Sequence, residues 1–146
     1  VDGSARMLSL AAARLTAEER TRATFEHADA RQYDPGPRPF DAIVTLFFLD
    51  CFVEHDVRQL VSRLSPCLRA GGIWLFADFA IPARAPARWH AQLVVNGLYL
   101  FFRWRAGLDA RALPPSEAIL QTAGLVAADQ REYRAGLIRS VVYLRA

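Results

Sequence analysis

The stretch Phe40 to Phe52, FDAIVTLFFLDCF, constrains this chain more than any other. Its core, Ala42 to Leu49, is almost continuously apolar and rich in β-branched and aromatic residues, and Pro37 and Pro39 stand before it as breakers. An apolar run without alternation fits one long strand buried on both faces, central in a parallel sheet that helices cover on either side. In open sheets of that kind, ligands sit beyond the carboxyl ends of the strands. Thr45 to Cys51, with Asp50 inside it, is therefore where function is expected first.

The rest of the chain limits the classes this strand can serve. With 146 residues, 53% of them hydrophobic, there is material for a single domain over residues 1–146 with its own core. The net charge of +3 rests on arginine alone, since no lysine occurs. Those arginines are scattered, and no basic stripe interleaved with aromatics points to nucleic acid. Cys51 and Cys67 form neither a metal spacing nor a disulfide framework, so no metal is expected and cytoplasmic residence is the default. No run reaches the roughly 18 apolar residues of a membrane span. The start, VDGSARMLSLAAARL, lacks the basic leader of a signal peptide.

Periodicity and breakers order the elements. Ser4 to Arg14 reads as a helix with Ser4 as a plausible N-cap, closed by a polar turn at Thr16 to Arg20. Ala23 to Ala28 reads as a short strand, and Tyr33 to Pro39 as a loop. After the long strand, Asp56 to Leu68 is an amphipathic helix, with Ala70-Gly71-Gly72 as its stop. Ile73 to Ala77 is a second buried strand with Asp78 at its tip. Pro82 to Pro86 reads as a linker, and Arg88 to Gly107 as a long helix with an apolar middle. Pro115 to Ala123 is a short helix, followed by strands Leu125 to Arg134 and Leu137 to Leu144 joined across Ala135-Gly136. The early alternation implies an α/β fold with a mostly parallel sheet and helices on both faces, closed by an antiparallel hairpin.

That layout, with residues at particular strand ends, resembles the class I S-adenosylmethionine-dependent methyltransferases over nearly the whole chain, in particular small bacterial members of unassigned substrate. Four stretches carry the resemblance. Val1-Asp2-Gly3-Ser4-Ala5-Arg6-Met7-Leu8 is similar to the family's second-strand end, and Ala28-Asp29-Ala30 to its third-strand end. Phe40 to Val44 resembles the start of its fourth strand, and Leu64 to Leu75 the entry to its fifth. The resemblance implies a Rossmann-like fold with S-adenosylmethionine as cofactor and a small-molecule acceptor. It implies that Asp2 holds the ribose, where the other reading is an N-cap, and that Asp29 and Ala30 meet adenine, where the other reading is a solvated turn. Gly3 departs from the apolar residue many relatives place there, and Met7 is expected to cover part of that ring face. Thr45, Leu46 and Phe47 fall where relatives contact the methionyl part.

Toward the acceptor, Asp50 and Asp78 are candidate bases or orienting groups, with a cap or loop role for Asp50 as the other reading. Methyl transfer from a sulfonium often needs little beyond proximity and alignment. His90, Leu98 and Phe102 on the long helix are candidate acceptor contacts. That helix is either buried on the sheet or a lid whose apolar wall suits an apolar or aromatic acceptor. Its flanking arginines and tryptophans also fit a helix lying at a membrane interface.

The family's glycine-rich loop has no counterpart here, and the chain starts at Val1 rather than methionine. The expectation is an N-terminally truncated, partial domain that binds S-adenosylmethionine poorly. In the family's sheet order, 3-2-1-4-5-7-6, the absent strands would leave Phe40 to Leu49 with one unpaired edge. Two other readings remain. One is a methyltransferase-like scaffold that binds a partner without catalysis. The other is a nicotinamide-dependent reductase, against which stands the lack of any Tyr-x-x-x-Lys pair. Oligomeric state is not legible.

Overall fold

Helix α1, Ala5–Ala13, begins where Ser4 Oγ accepts a hydrogen bond from the Met7 N–H at 3.3 Å, while Asp2 Oδ1 accepts from the Ser4 N–H at 2.7 Å. Those two acceptors satisfy donors that the first turn leaves free. Helix α2, Ala17–Thr21, replaces the polar turn expected there. Thr16 and Glu19 cap each other reciprocally, and the Thr-x-x-Glu spacing was the signal for it. The expected strand at Ala23 to Ala28 is not formed. It contributes one parallel bridge, Asp2 to His27, with Asp2 N–H donating to Glu26 O at 3.1 Å and Ala28 N–H to Asp2 O at 3.2 Å.

This computed structural model describes residues 1–36, 39–82, 87–106 and 112–146. They fall into two compact units, Val1–Gly36 and Pro37–Ala146. The first holds α1, α2 and the bridge.

The second unit is built on a four-stranded sheet in the order β1-β2-β4-β3, formed by β1 Phe40–Leu46, β2 Leu68–Phe79, β3 Leu125–Tyr133 and β4 Ile138–Arg145. β1 and β2 pair in parallel, while β4 runs antiparallel to both β2 and β3. The last strand thus inserts between its hairpin partner and β2, which is the 4-5-7-6 half of the sheet implied by the resemblance. A parallel pair needs a crossover, and here α3, Glu54–Leu64, supplies it. Val57, Leu60, Val61 and Leu64 give α3 its buried stripe. Its continuation Ser65–Cys67 tightens into a 3-10 turn at Pro66, so Leu68 opens β2 instead of ending the helix.

Phe40 to Leu49 is not the long, doubly buried central strand first expected, but among the described strands it does carry the unpaired edge that the resemblance implied. β1 ends at Leu46, lies at an edge of the sheet, and has only Thr45 fully buried, with Val44 at 55% exposure. β2 and β4 are the interior strands, and β2 is the one paired to β1. Its consecutive residues Phe76, Ala77 and Asp78 are all buried, which requires cover on both faces. Inside it, Trp74 is fully buried and donates Nε1–H to Thr45 Oγ1 at 2.8 Å. β2 also begins earlier than expected, running through Gly71-Gly72 rather than after them. Gly71 has a φ of +71°, and a Cβ on Gly72 would come within 2.8 Å of the Arg69 carbonyl, so glycine lets the strand kink without stopping.

The long helix, α4, spans Ala87–Ala106, and α5 spans Ser116–Thr122 after Pro115. Ala91, Val95 and Tyr99, four residues apart, are the buried residues of α4 among the described side chains, and Phe79, Leu113 and Leu137 pack against Val95 and Tyr99. The β3–β4 hairpin turns through Arg134, Ala135 and Gly136, all at positive φ. Most of the expected linker, residues 83–86, lies outside the described residues, as does Gly107.

Candidate functional site

The carboxyl end of β1 and β2 is where the second unit gathers its chemistry. Past Leu46 the chain turns sharply at Phe47, whose φ is +51°, a conformation that costs a bulky residue on the order of 1 kcal/mol or more. Two hydrogen bonds hold it there. The Phe47 N–H donates to Ala77 O at 2.7 Å, and the Phe48 N–H to Asp78 Oδ1 at 3.1 Å. The next residues, Leu49–Cys51, form a 3-10 turn that brings Asp50 back toward β2. Tyr99, from the buried face of α4, donates its hydroxyl to the Asp50 carbonyl at 2.7 Å.

The result is a pair of carboxyls with little water. Asp50 is 8% exposed and Asp78 3%. Burial raises the proton affinity of Asp50, although the Cys51 S–H beside its Oδ1 at 3.6 Å favours the ionised form. Asp78 is pushed up to about 8, first by burial and then by the charge of Asp50. At neutral pH such a pair holds one proton, because two carboxylates placed together cannot both ionise cheaply. The same surroundings push the Cys51 thiol up to about 12 through burial and the Asp50 charge, and raise Tyr99 in the same way, so neither is a nucleophile. Asp78 Oδ2 is buried and has no hydrogen-bond partner among the described residues.

The pair opens on a cavity of about 460 Å³, lined further by Phe76 and Phe79, by Pro114 and Pro115, and by Glu117 and Arg139. That volume suits a small organic molecule. Arg139 is already committed, to Glu117 at 3.0 Å and to Glu132 at 2.9 Å. Among the described residues no group of three or more histidines, cysteines or acids could hold a metal ion.

The expected site residues fall as follows. In the first unit, Asp2 Oδ1 accepts from the Ser4 N–H, while Ser4 rather than Asp2 is the N-cap of α1. Gly3 follows it, with its carbonyl 3.0 Å from His27 Nε2, and Met7 is 55% exposed on α1. Asp29 is bound by Arg31 through side chain and backbone, which holds its carboxyl below the usual range, and Ala30 follows in the same turn. In the second unit, Thr45 is buried and turned to Trp74, while Leu46 and Phe47 are exposed. Asp50 and Asp78 are brought together. His90 is exposed, and neither it nor the half-buried Leu98 lines the cavity. Phe102 lies in α4, but its side chain is outside the described residues. Tyr99, Glu117 and Arg139 were missed by sequence reasoning. Only Tyr99 left a trace, in its four-residue spacing from Val95 and Ala91.

Residues 1–72 match a family described as methyltransferase domain. No curated protein sequence matches the chain. Among solved structures, TnmH aligns with a TM-score of 0.71 at 18% identity, covering 99% of this chain and 41% of its own. The N-methyltransferase NodS from Bradyrhizobium japonicum WM9, in complex with S-adenosyl-L-homocysteine, gives 0.63 at 18% identity, covering 99% of this chain and 64% of NodS. The mitomycin 7-O-methyltransferase MmcR gives 0.67 at 20% identity, covering 97% of this chain and 40% of MmcR. The chain therefore has the Rossmann-like fold of those enzymes and spans less than two thirds of each one's length.

Proposed function

We propose that the protein transfers a methyl group from S-adenosylmethionine to a small acceptor with an apolar or aromatic body, a reading supported by the methyltransferase-domain match over residues 1–72 and by the fold shared with NodS and MmcR. The observation that carries the reading is the agreement between that sequence match and the strand order, which puts a buried acid pair and a small-molecule cavity at the carboxyl ends of β1 and β2. Ligands in open α/β sheets bind at that end.

The residues of the first unit fit the nucleoside half of such a cofactor. Space beside Asp2 is open, for a Cβ on Gly3 would meet nothing nearer than the Ala28 carbonyl at 4.0 Å. A flat ring finds room there, with the exposed Met7 as a flexible apolar cover. Asp2 would hold the ribose hydroxyls, as an acidic residue does in dinucleotide folds. Asp29 and Ala30 would meet the adenine edge, the carboxylate being shared with Arg31. When bound, the cofactor supplies an activated methyl group on a sulfonium. Around Thr45, Leu46 and Phe47, the exposed side chains of the last two offer apolar contact, and Thr45 braces the strand end through Trp74.

For the acceptor half, Phe76 and Phe79 supply an aromatic wall and the Asp50–Asp78 pair a proton acceptor. Methyl transfer is chiefly a matter of alignment. The pair orients the acceptor's donor group and takes the proton it loses.

Titration with S-adenosyl-L-homocysteine tests the reading directly. Weak binding is expected, since this chain lacks a counterpart of the family's glycine-rich loop, and Asp2→Asn should weaken it about tenfold further, the loss of one charge-assisted hydrogen bond, while keeping an oxygen for the Ser4 N–H. If methyl-labelled S-adenosylmethionine neither binds nor labels any acceptor, the reading fails.

A further inference from the structure

We infer that the cavity at Asp50 and Asp78 takes a basic nitrogen, so that the acceptor is a small arylalkyl or alkyl amine seated on the acid pair as its ammonium form. This rests on the methyltransferase reading for its chemistry, but the recognition argument stands on the cavity alone.

The charges around the cavity are unequal. Asp50, Asp78 and Glu117 line it against a single guanidinium, Arg139. Arg139 is already clamped by Glu117 and by Glu132, so it has no charge to spare for the acid pair. Among the described residues the pair is left without a cation of its own. Its orphaned atom sharpens the point. Asp78 is 97% buried and lines the cavity, and its Oδ2 has no hydrogen-bond partner among the described residues. A buried acceptor left unmet costs about 1–3 kcal/mol, which a ligand N–H aimed at it recovers. A carboxylate or phosphate acceptor would face like charge instead. A neutral hydroxyl would satisfy one oxygen without balancing the charge.

The transfer step balances on the same groups. The bound ammonium gives one proton to the pair, and the freed nitrogen lone pair forms the N–CH₃ bond. As it forms, the S–CH₃ bond of the sulfonium donor breaks with its electron pair passing to sulfur, leaving a thioether. One proton per turnover leaves through the pair to solvent. The ionised member of the pair takes that proton, and burial makes it a better acceptor than an ordinary carboxylate.

Among the described residues, the titratable and charged groups around the pair come from five places. Asp50 and Cys51 come from the turn after β1, Asp78 from β2, and Tyr99 from α4. Glu117 comes from α5 and Arg139 from β4. Cys51 at about 12 and Tyr99, raised above its ordinary value, keep their protons throughout the neutral range, and Glu117 and Arg139 stay paired. A rise in pH through about 8 therefore removes the last proton from the Asp50–Asp78 pair while an alkyl amine remains protonated.

The test is calorimetric titration of the protein, without methyl donor, with phenethylamine, 2-phenylethanol and 3-phenylpropionate, which differ at one end of a common body. The amine is expected to bind at least about tenfold more tightly than the alcohol, and the carboxylate not at all. Amine affinity should rise several-fold from about pH 6.5 to about pH 8.5, and Asp78→Asn should abolish both the preference and the rise. Equal binding of amine and alcohol by the wild-type protein overturns the inference, as does an amine affinity flat with pH. So does failure of both phenethylamine and benzylamine to bind at millimolar concentration. The wild-type comparisons decide the matter even if the variant does not fold. A parallel titration with S-adenosyl-L-homocysteine separates the two readings. Amine binding without it refutes the methyltransferase reading alone, and the reverse result refutes the amine site alone.

Discussion

Asp78 holds its proton up to about 8 in the folded chain, while an unperturbed aspartate releases it near 3.8. The folded state therefore keeps a proton, between about pH 4 and pH 8, that the unfolded state has lost. This contribution to stability is fully present below the unfolded pKa and disappears as pH rises through the folded one. The melting temperature should fall between about pH 5 and pH 8.5, by the equivalent of roughly 4 kcal/mol. In Asp78→Asn the fall should flatten and the variant should be the more stable protein at about pH 8.5, as thermal melts across the range will show. A wild-type melting temperature that rises over the same window would contradict the burial argument. Much of this site was legible in the sequence, because a carboxylate at the end of an apolar run marks a strand tip. Its pairing was not. Asp50 and Asp78 are separated by a whole helix in the chain, and only the turn at Phe47 swings the first toward the second. Tyr99 was hidden for a related reason, since on an apolar helix its hydroxyl looks like any other core tyrosine.

At the scale of elements, β2 shows why sequence patterns misplace a centre. β1 and β2 are both apolar, and the β1 segment is the longer apolar run. What decides the matter is pairing. β2 has β1 on one side and β4 on the other, whereas β1 pairs with β2 alone among the described strands. No periodicity in FDAIVTLFFL encodes that, nor the left-handed turn at Phe47 that ends the strand early. The helices were read more closely, because caps and breakers are local. Ser4, Pro115 and Gly124 mark ends that the structure keeps. Gly72 is the exception that reversed its meaning, a kink within a strand taken for the stop before it. A methyl group there would sit 2.8 Å from the Arg69 carbonyl and 3.2 Å from that of Asp41, both of them backbone atoms with little freedom to yield. Gly72→Ala is expected to cost about 2–3 kcal/mol, read as a lower urea midpoint at an unchanged m-value. Gly97→Ala, on α4 with nothing within 4 Å, is the control and should be neutral or slightly stabilising.

At the scale of the molecule, the two units differ in how much they bury. No residue of Val1–Gly36 is fully buried, and Val1, Met7, Leu10 and Phe25 are all exposed. The second unit holds the buried core, with Trp74, Tyr143, Leu68 and Val141 at 1% exposure or less. Local opening follows burial, so amide hydrogens of α1 and α2 should exchange within seconds to minutes, while those of β2 and β4 exchange only on global unfolding. Mass spectrometry of exchange-labelled peptides will show it, and equal protection of the two units would refute it. The same contrast in burial places the three tryptophans in two optical environments. Trp74 is sealed inside β2 against Thr45, whereas Trp89 and Trp104 stand on α4 at 72% and 82% exposure. Acrylamide or iodide will extinguish the red-shifted emission of the outer pair and leave a blue-shifted remainder from the inner ring. Without any added label, the protein thus carries two fluorescence channels, one reporting what touches α4 and the other whether the sheet is still intact.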